Sequence, residues 1–143
     1  MKATYYARLS KKEKRAQIDM ILESRKLYKR GIFRTRKKLN YASKTSPHII
    51  RAQKLYGTKI VPSKELARKT GCSIDALKQI VKKGEGAYYS SGSRPSQTPQ
   101  SWAHARLASA VSGGKASLVD FHILKTCDKL KKAYQLSQKK ILS

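Results

Sequence analysis

Residues 66–81, LARKTGCSIDALKQIV, give the clearest indication of the fold. A helix-turn-helix needs a small residue where its helices touch, a glycine in the turn, and apolar residues on the second helix that face the first. Ala67, Gly71, Leu77 and Ile80 stand at those offsets. The stretch therefore predicts two helices joined by a tight turn, and it favours an all-α fold.

Capping signals on both sides of this stretch predict further helices. Ser10 and Glu13 form an S-x-x-E capping box that opens a helix to about Arg30. Ser46-Pro47 and Gly57 bracket a second helix. Further helices are predicted over 63–70, 73–83 and 98–112, followed by a last long helix capped by Ser117 and Asp120, with the apolar stripe Phe121, Leu124, Cys127, Leu130 and Tyr134.

The predicted architecture is a small all-α domain with a helix-turn-helix-like corner, a basic N-terminal arm and a long C-terminal helix. Residues 1–44 form the basic arm and its helix, with 1–9 as free arm and 32–44 as an extended basic connector. Residues 45–124 form a compact core that contains the loop GAYYSSGSRP, and residues 125–143 form a basic helix end. The loop, residues 84–98, is rich in Gly and Ser, and a packed turn is favoured over a phosphate cradle.

Charge is the strongest compositional signal. The 143 residues include 33 Lys+Arg against 8 Asp+Glu, which gives a net charge of +25. Residues 1–62 carry 18 basic and 3 acidic side chains, whereas residues 84–124 carry 3 and 2. Self-repulsion on this scale disfavours an isolated compact protein. We expect the nearly neutral segment to pack and the basic ends to reach an acidic partner: nucleic acid, an anionic membrane face or other proteins.

The helix-turn-helix stretch has two interpretations. As a DNA reader, its second helix would present Ser73, Asp75, Lys78, Gln79 and Lys82 to the major groove. The other interpretation is an ordinary helical corner whose lysines are solvated. We favour it because the pattern is short and many unrelated sequences fit it. The residues predicted to contact nucleic acid or another polyanion are Lys11, Lys12, Arg34, Arg36, Lys37, Lys38, Lys78, Gln79 and Lys82.

Residues suited to catalysis or metal binding are scarce. Cys72 and Cys127 are too few and too far apart in sequence for a disulfide scaffold, which predicts reduced thiols in a protein of intracellular type. His48, His104 and His122 show no metal-ligand spacing with each other or with the cysteines. We therefore expect no enzyme activity, no metal, no cofactor and no small-molecule substrate.

The stretch Lys82–Leu124, KKGEGAYYSSGSRPSQTPQSWAHARLASAVSGGKASLVDFHIL, resembles an uncharacterised family of short basic proteins of large eukaryotic double-stranded DNA viruses, of the chlorella-virus, iridovirus and mimivirus kind. Residues 41–57, YASKTSPHIIRAQKLYG, are similar to the segment that precedes this motif. The resemblance implies a virion-associated protein without catalytic residues. Its matching residues are read as fold determinants: Gly84, Gly86, Tyr88, Tyr89, Ser91, Gly92, Ser93, Arg94, Pro95, Trp102, Arg106, Gly113 and Gly114.

Three of these motif residues carry specific expectations. Trp102 is expected to be a buried anchor against Tyr88 or Tyr89, with the Arg106 guanidinium stacked on it. For Arg94 two alternatives stay open: a phosphate contact from the loop, or an ion pair with Asp120 or Glu85.

Three functional classes follow from the charge and the resemblance. The first is a minor capsid protein or other virion structural protein that bridges shell subunits, with other capsid proteins as partners and viral DNA or an anionic inner membrane left open as further ones. The second is a DNA-binding protein for genome packaging or condensation. The third, a ribosomal-type RNA-binding protein, fits the composition, but the resemblance disfavours it. The first class places the protein in the virion, and in the host cytoplasm or nucleus during assembly.

Overall fold

The computed structural model describes residues 1–41 and 45–143, and this part of the chain is all-α, as the sequence predicts. It contains no strand. The helices are α1 Lys11–Lys29, α2 Pro47–Tyr56, α3 Lys64–Thr70, α4 Ile74–Ser90, α5 Pro99–Val111, α6 Ala116–Val119, α7 Phe121–Leu124 and α8 Lys132–Leu142. A single 3₁₀ turn, Ala3–Tyr5, precedes α1. Residues 42–44, the end of the predicted basic connector, lie outside the described residues.

Helix starts and stops in the first half follow the capping signals. The Ser10 hydroxyl accepts the Glu13 backbone N–H at 3.2 Å, and α1 begins at the next residue after Ser10. The Ser46 hydroxyl accepts the His48 N–H at 3.2 Å at the start of α2. Gly57 ends α2 with φ +63°, a left-handed conformation that glycine adopts without a Cβ penalty. The predicted bounds of these helices are confirmed.

The predicted break at Gly84 is wrong, because α4 continues through the glycines to Ser90. Gly84 is buried, and a Cβ built there would lie 2.7 Å from the Ala103 Cα on α5. A close approach between two helix backbones therefore explains this glycine, and tertiary packing overrides its weak helix propensity. Residues 84–90 of the predicted loop are helical, and the irregular segment is 91–98.

The predicted last long helix is also wrong. Three helices, α6, α7 and α8, occupy this region, and residues 125–131 between α7 and α8 are not helical. The Asp128 carboxylate accepts the Leu130 N–H at 2.9 Å, a local bond typical of Asp in turns. Leu130, which the predicted stripe placed on a buried face, is 84% exposed.

The chain divides into two compact units. Unit 1 combines Met1–Lys44 with Glu85–Trp102, and unit 2 combines Thr45–Gly84 with Ala103–Ser143. Two of the three unit boundaries, at 84/85 and 102/103, fall inside α4 and α5. This differs from the division expected from the sequence, since residues 85–102 group with the N-terminal segment.

Unit 1 incorporates the first residues of the chain, which were predicted to be a free arm. Tyr5 is buried, and its carbonyl accepts a hydrogen bond from the Gln17 Nε2 at 3.1 Å. The Tyr5 ring meets Trp102 edge to face, with centroids 6.2 Å apart. Ile21 and Tyr88 are fully buried in the same unit. The arm prediction is therefore wrong at Tyr5.

Unit 2 is built on one apolar cluster. Its buried members are Ala52, Tyr56, Ile60, Leu66, Cys72, Ala76, Leu77, Ile80, Leu107, Ala108, Ala110, Val111, Ile123, Leu124, Cys127 and Ala133. The Tyr56 hydroxyl donates to the Val111 carbonyl at 2.5 Å, so this buried polar group is satisfied. Burial also raises the pKa of Tyr56, which keeps the phenol protonated.

Candidate nucleic-acid interface

The helix-turn-helix order predicted from residues 66–81 is present in unit 2. The Ser63 hydroxyl caps α3 by accepting the Leu66 N–H at 3.1 Å, and Gly71 ends α3 with φ +81°. The Ser73 hydroxyl accepts the Ala76 N–H at 3.0 Å at the start of α4. Both helices contribute to the apolar cluster. The turn is therefore three residues long, 71–73, with glycine in its left-handed position.

The residues predicted to read DNA lie on the exposed face of α4 and at the capping position before it. Ser73, Lys78, Gln79 and Lys82 are all exposed. Gln79 donates its Nε2 to the Asp75 carboxylate at 2.8 Å, so its amide is already engaged. Asp75 lies in the first turn of α4, where a carboxylate suits the helix dipole but repels a phosphate backbone. This face can attract a polyanion, and its first turn is poorly suited to base contacts.

A disulfide joins Cys72, in the turn of the corner, to Cys127 in the segment that precedes α8. The prediction of reduced thiols is therefore wrong. The prediction relied on the distance between the two cysteines in the sequence. In the folded chain their Cα atoms are only 4.3 Å apart. The Asp128 N–H also donates to the Gly71 carbonyl at 2.9 Å. These two links hold residues 127–128 against the turn.

Of the candidate cations near the N-terminus, Lys11, Lys12, Lys37 and Lys38 are exposed. Arg34 is also exposed and pairs with Glu23 at 3.0 Å. The structure leaves all five side chains accessible to a polyanion.

Arg36 is different, and its prediction as a polyanion contact is wrong, because the residue is only 8% exposed. Its Nη1 donates to the Ser24 hydroxyl at 3.0 Å and to the Tyr88 carbonyl at 2.9 Å, and its Nη2 donates to the Ser93 hydroxyl at 2.9 Å. Its guanidinium carbon lies 3.8 Å from the centroid of the Tyr88 ring. Burial lowers the pKa of Arg36, and Tyr88 opposes that shift. Arg36 therefore organises the interior of unit 1.

The aromatic motif residues pack differently from the expectation. Trp102 is half-buried and contacts Tyr5, rather than Tyr88 or Tyr89 as predicted. Tyr89 stacks parallel to Tyr28, with centroids 6.2 Å apart. The motif tyrosines thus hold unit 1 together, but without the tryptophan partner assigned to them.

The charged and glycine motif residues have structural environments as well. Arg106 forms a two-pronged ion pair with the fully buried Asp120, at 2.9 Å from Nε and 2.7 Å from Nη2, instead of stacking on Trp102. Arg94 is exposed, and Asp120, one of its two predicted partners, is taken by Arg106. Gly86 lies in α4, where a Cβ would meet the Tyr28 hydroxyl at 3.5 Å.

Two groups of important residues escaped the sequence reasoning. The pair Cys72 and Cys127 carried one available signal, an even number of cysteines. The buried polar partners Gln17 and Ser24 carried none, because Ser and Gln in a basic amphipathic sequence look like surface residues; Ser93 was among the motif residues read as fold determinants.

Residues 1–41 and 45–143 show neither a cluster of metal ligands nor a membrane-spanning helix. No group of three or more His, Cys, Asp and Glu side chains there is arranged to hold a metal ion. Over the same residues, no helix has the length and apolar character required to cross a bilayer.

Comparison with known proteins assigns a family. Residues 2–136 match the model of DUF5824, described as a family of unknown function. Because the match covers most of the 143 residues, the chain belongs to this family. No curated protein and no solved structure matches the chain.

Proposed function

We propose that this member of the DUF5824 family is a non-enzymatic structural protein of a virion that bridges proteins of the shell. The observation that carries the proposal is the exposure of paired apolar side chains in both units. A bridging protein needs contact surfaces on more than one part of its structure. The resemblance of Lys82–Leu124 to proteins of large DNA viruses supplies the virion as the setting.

The exposed pair in unit 1 is Ile32 and Phe33, of which Phe33 is 66% exposed. The Phe33 ring is held in place, with its centroid 5.6 Å from that of Tyr28 and 5.3 Å from that of Tyr89. A fixed aromatic side chain loses little conformational entropy when a partner covers it, and such residues often dominate binding energy. Phe33 therefore has the properties of an interface anchor.

In unit 2, besides Ile141 and Leu142 in α8, the adjacent residues Leu118 and Val119 are exposed, with Val119 59% exposed. The residues on either side, Ser117 and Asp120, are fully buried, so the pair sits on a well-anchored backbone. Adjacent exposed apolar residues mark interaction sites more often than isolated ones do. This pair is the second proposed contact.

Charge restricts the partners. Because the chain has 33 basic and 8 acidic side chains, at least 25 basic groups (33 − 8) have no acidic residue of their own. We expect the shell proteins that this chain contacts to present acidic surfaces, with viral DNA or an anionic inner membrane as additional neutralising partners.

The test is to follow the protein through emptied particles. Purified virions are opened, treated with nuclease and sedimented, and the protein in the shell fraction is measured. We expect it to stay with the shells, and the double variant Phe33→Ser/Val119→Ser to be lost from them. Leu22→Ser is the matched control, since Leu22 is 50% exposed but stands alone in sequence. Release of the wild-type protein with the digested genome would contradict the proposal.

A second candidate function is sequence-specific DNA binding through α4, favoured by the exposed Ser73, Lys78 and Gln79 after a glycine turn. A specific reader should bind its own site at least roughly 10³-fold more tightly than other DNA at physiological salt. We expect selection from random duplexes to return no site that reaches this ratio, and Lys78→Ala and Gln79→Ala to change affinity by less than about twofold. A defined, tightly bound site would replace the first proposal with this one.

A further inference from the structure

A cationic groove lies beside the helix-turn-helix corner in unit 2. Its volume is about 430 Å³. The residues that line it are Leu55, Tyr56, Arg68, Lys69, Leu130, Lys131 and Lys132. None of these cations was among the residues predicted from the sequence. We call this surface the corner groove.

The corner groove concentrates positive charge. Four of its seven lining residues are Lys or Arg, and among the described residues its lining includes no Asp or Glu. Two acidic residues lie close to the lining: Glu65 pairs with Lys69 at 3.6 Å, and Asp128 lies beside Lys131, whose backbone N–H donates to the Asp128 carbonyl at 3.1 Å. Lys131 and Lys132 stand at the N-terminal end of α8, where the helix dipole adds to their positive potential. Positive side chains that line one groove raise the local positive potential, and this attracts anions.

The two walls of the groove are fixed to each other. One wall belongs to α3, with Arg68 and Lys69, and the other to residues 130–132. The Cys72–Cys127 disulfide joins the two chain segments at the turn. Gly71 lies so close to Lys131 that a Cβ built there would be 2.6 Å from the Lys131 Cβ. The distance between the walls is therefore set before any ligand binds, which lowers the cost of binding.

We propose that the corner groove binds the phosphodiester backbone of duplex DNA without sequence preference. Arg68, Lys69, Lys131 and Lys132 neutralise neighbouring phosphates, while the apolar surfaces of Leu55 and Leu130 contact sugars. The site lies on the first helix of the corner, which is the helix that crosses the DNA backbone in helix-turn-helix complexes. This inference does not depend on the proposed bridging of shell proteins, because the groove would bind DNA in the same way if the protein had no part in a shell.

The experiment measures affinity for a short duplex of random sequence at several salt concentrations. The variant is Arg68→Gln/Lys132→Gln, and the matched control is Lys29→Gln/Arg30→Gln, which removes the same charge from exposed positions in unit 1 that are not among the candidate contacts. Each lost phosphate contact reduces the slope of log affinity against log salt by about 0.9. We expect the groove variant to lose about 1.8 from the slope and roughly tenfold or more in affinity near physiological salt, and the control to lose less than about threefold.

Two results would overturn the proposal. Equal losses in the groove variant and the control would mean that DNA binding follows total charge and that the groove is not a site. If the groove variant keeps its DNA affinity but no longer binds vesicles that contain phosphatidylserine, the groove binds lipid headgroups instead. Far-ultraviolet circular dichroism and thermal unfolding confirm that both variants are folded before affinities are compared.

Discussion

Unit 1 and unit 2 are stabilised by different kinds of interaction. The interior of unit 1 holds Arg36, Gln17, Ser24 and Ser93, joined by hydrogen bonds around the buried ring of Tyr88. The interior of unit 2 is a continuous apolar cluster with a disulfide at its edge. Apolar packing tolerates substitution in proportion to the volume lost, whereas a buried polar network fails when one member leaves its partners unsatisfied. The two units should therefore respond to different perturbations.

The largest expected effect is in unit 2 and comes from its disulfide. The bridge closes a sequence separation of 55 residues, for which restriction of the unfolded chain is worth roughly 4 kcal/mol. We expect Cys72→Ala/Cys127→Ala to lower the free energy of unfolding by about that amount in urea denaturation. Reductant should lower the free energy of unfolding of the wild-type protein by the same amount and leave that of the double variant unchanged. A wild-type midpoint insensitive to reductant would show that the disulfide contributes no stability.

The next largest effect is in unit 1, at Arg36. Arg36→Met removes the donor to three buried oxygen acceptors and the cation above the Tyr88 ring, and we expect a loss of about 3 kcal/mol. Lys37→Met is the matched control, since Lys37 is the exposed neighbour and its loss should cost less than about 0.5 kcal/mol. The readout is fluorescence of Trp102, the one tryptophan in the chain and a residue of unit 1. Equal midpoints for the two variants would refute the role given to Arg36.

The smallest effects are expected at two glycines of α4, Gly84 in unit 2 and Gly86 in unit 1. Gly84→Ala puts a methyl group 2.7 Å from the Ala103 Cα and should destabilise unit 2 by about 1–3 kcal/mol. At Gly86 the nearest atom to a Cβ is the Tyr28 hydroxyl at 3.5 Å, so Gly86→Ala should stabilise by about 0.5–1 kcal/mol through helix propensity. Thermal unfolding of both variants distinguishes these signs. A stabilising Gly84→Ala would mean that the helices can separate at no cost.

The parts of the fold that were predictable are those coded locally. Ser10 with Glu13, Ser46, Gly57 and Gly71 act within one helix turn, and the structure confirms each of them. Gly84 was misread because the same residue that ends an isolated helix also permits close packing of two helices. That requirement comes from Ala103, nineteen positions away in the chain.

The candidate interface was less predictable than the fold. Lys78, Gln79 and Lys82 were found because they lie on one face of a recognisable helix. Arg68 and Lys131 were missed because they come from segments that meet only in the folded chain. Arg36 was misassigned because the sequence alone does not distinguish a buried arginine from an exposed one.

The most direct test of the comparison is amide hydrogen exchange, measured by residue, on the wild-type protein, on Arg36→Met and on the wild-type protein with reductant. We predict that Arg36→Met accelerates exchange mainly in residues 1–41 and 85–102, and that reductant accelerates it mainly in residues 45–84 and 103–143. If both perturbations accelerate exchange evenly along the chain, the two units unfold together, and the claim that they are stabilised separately is wrong.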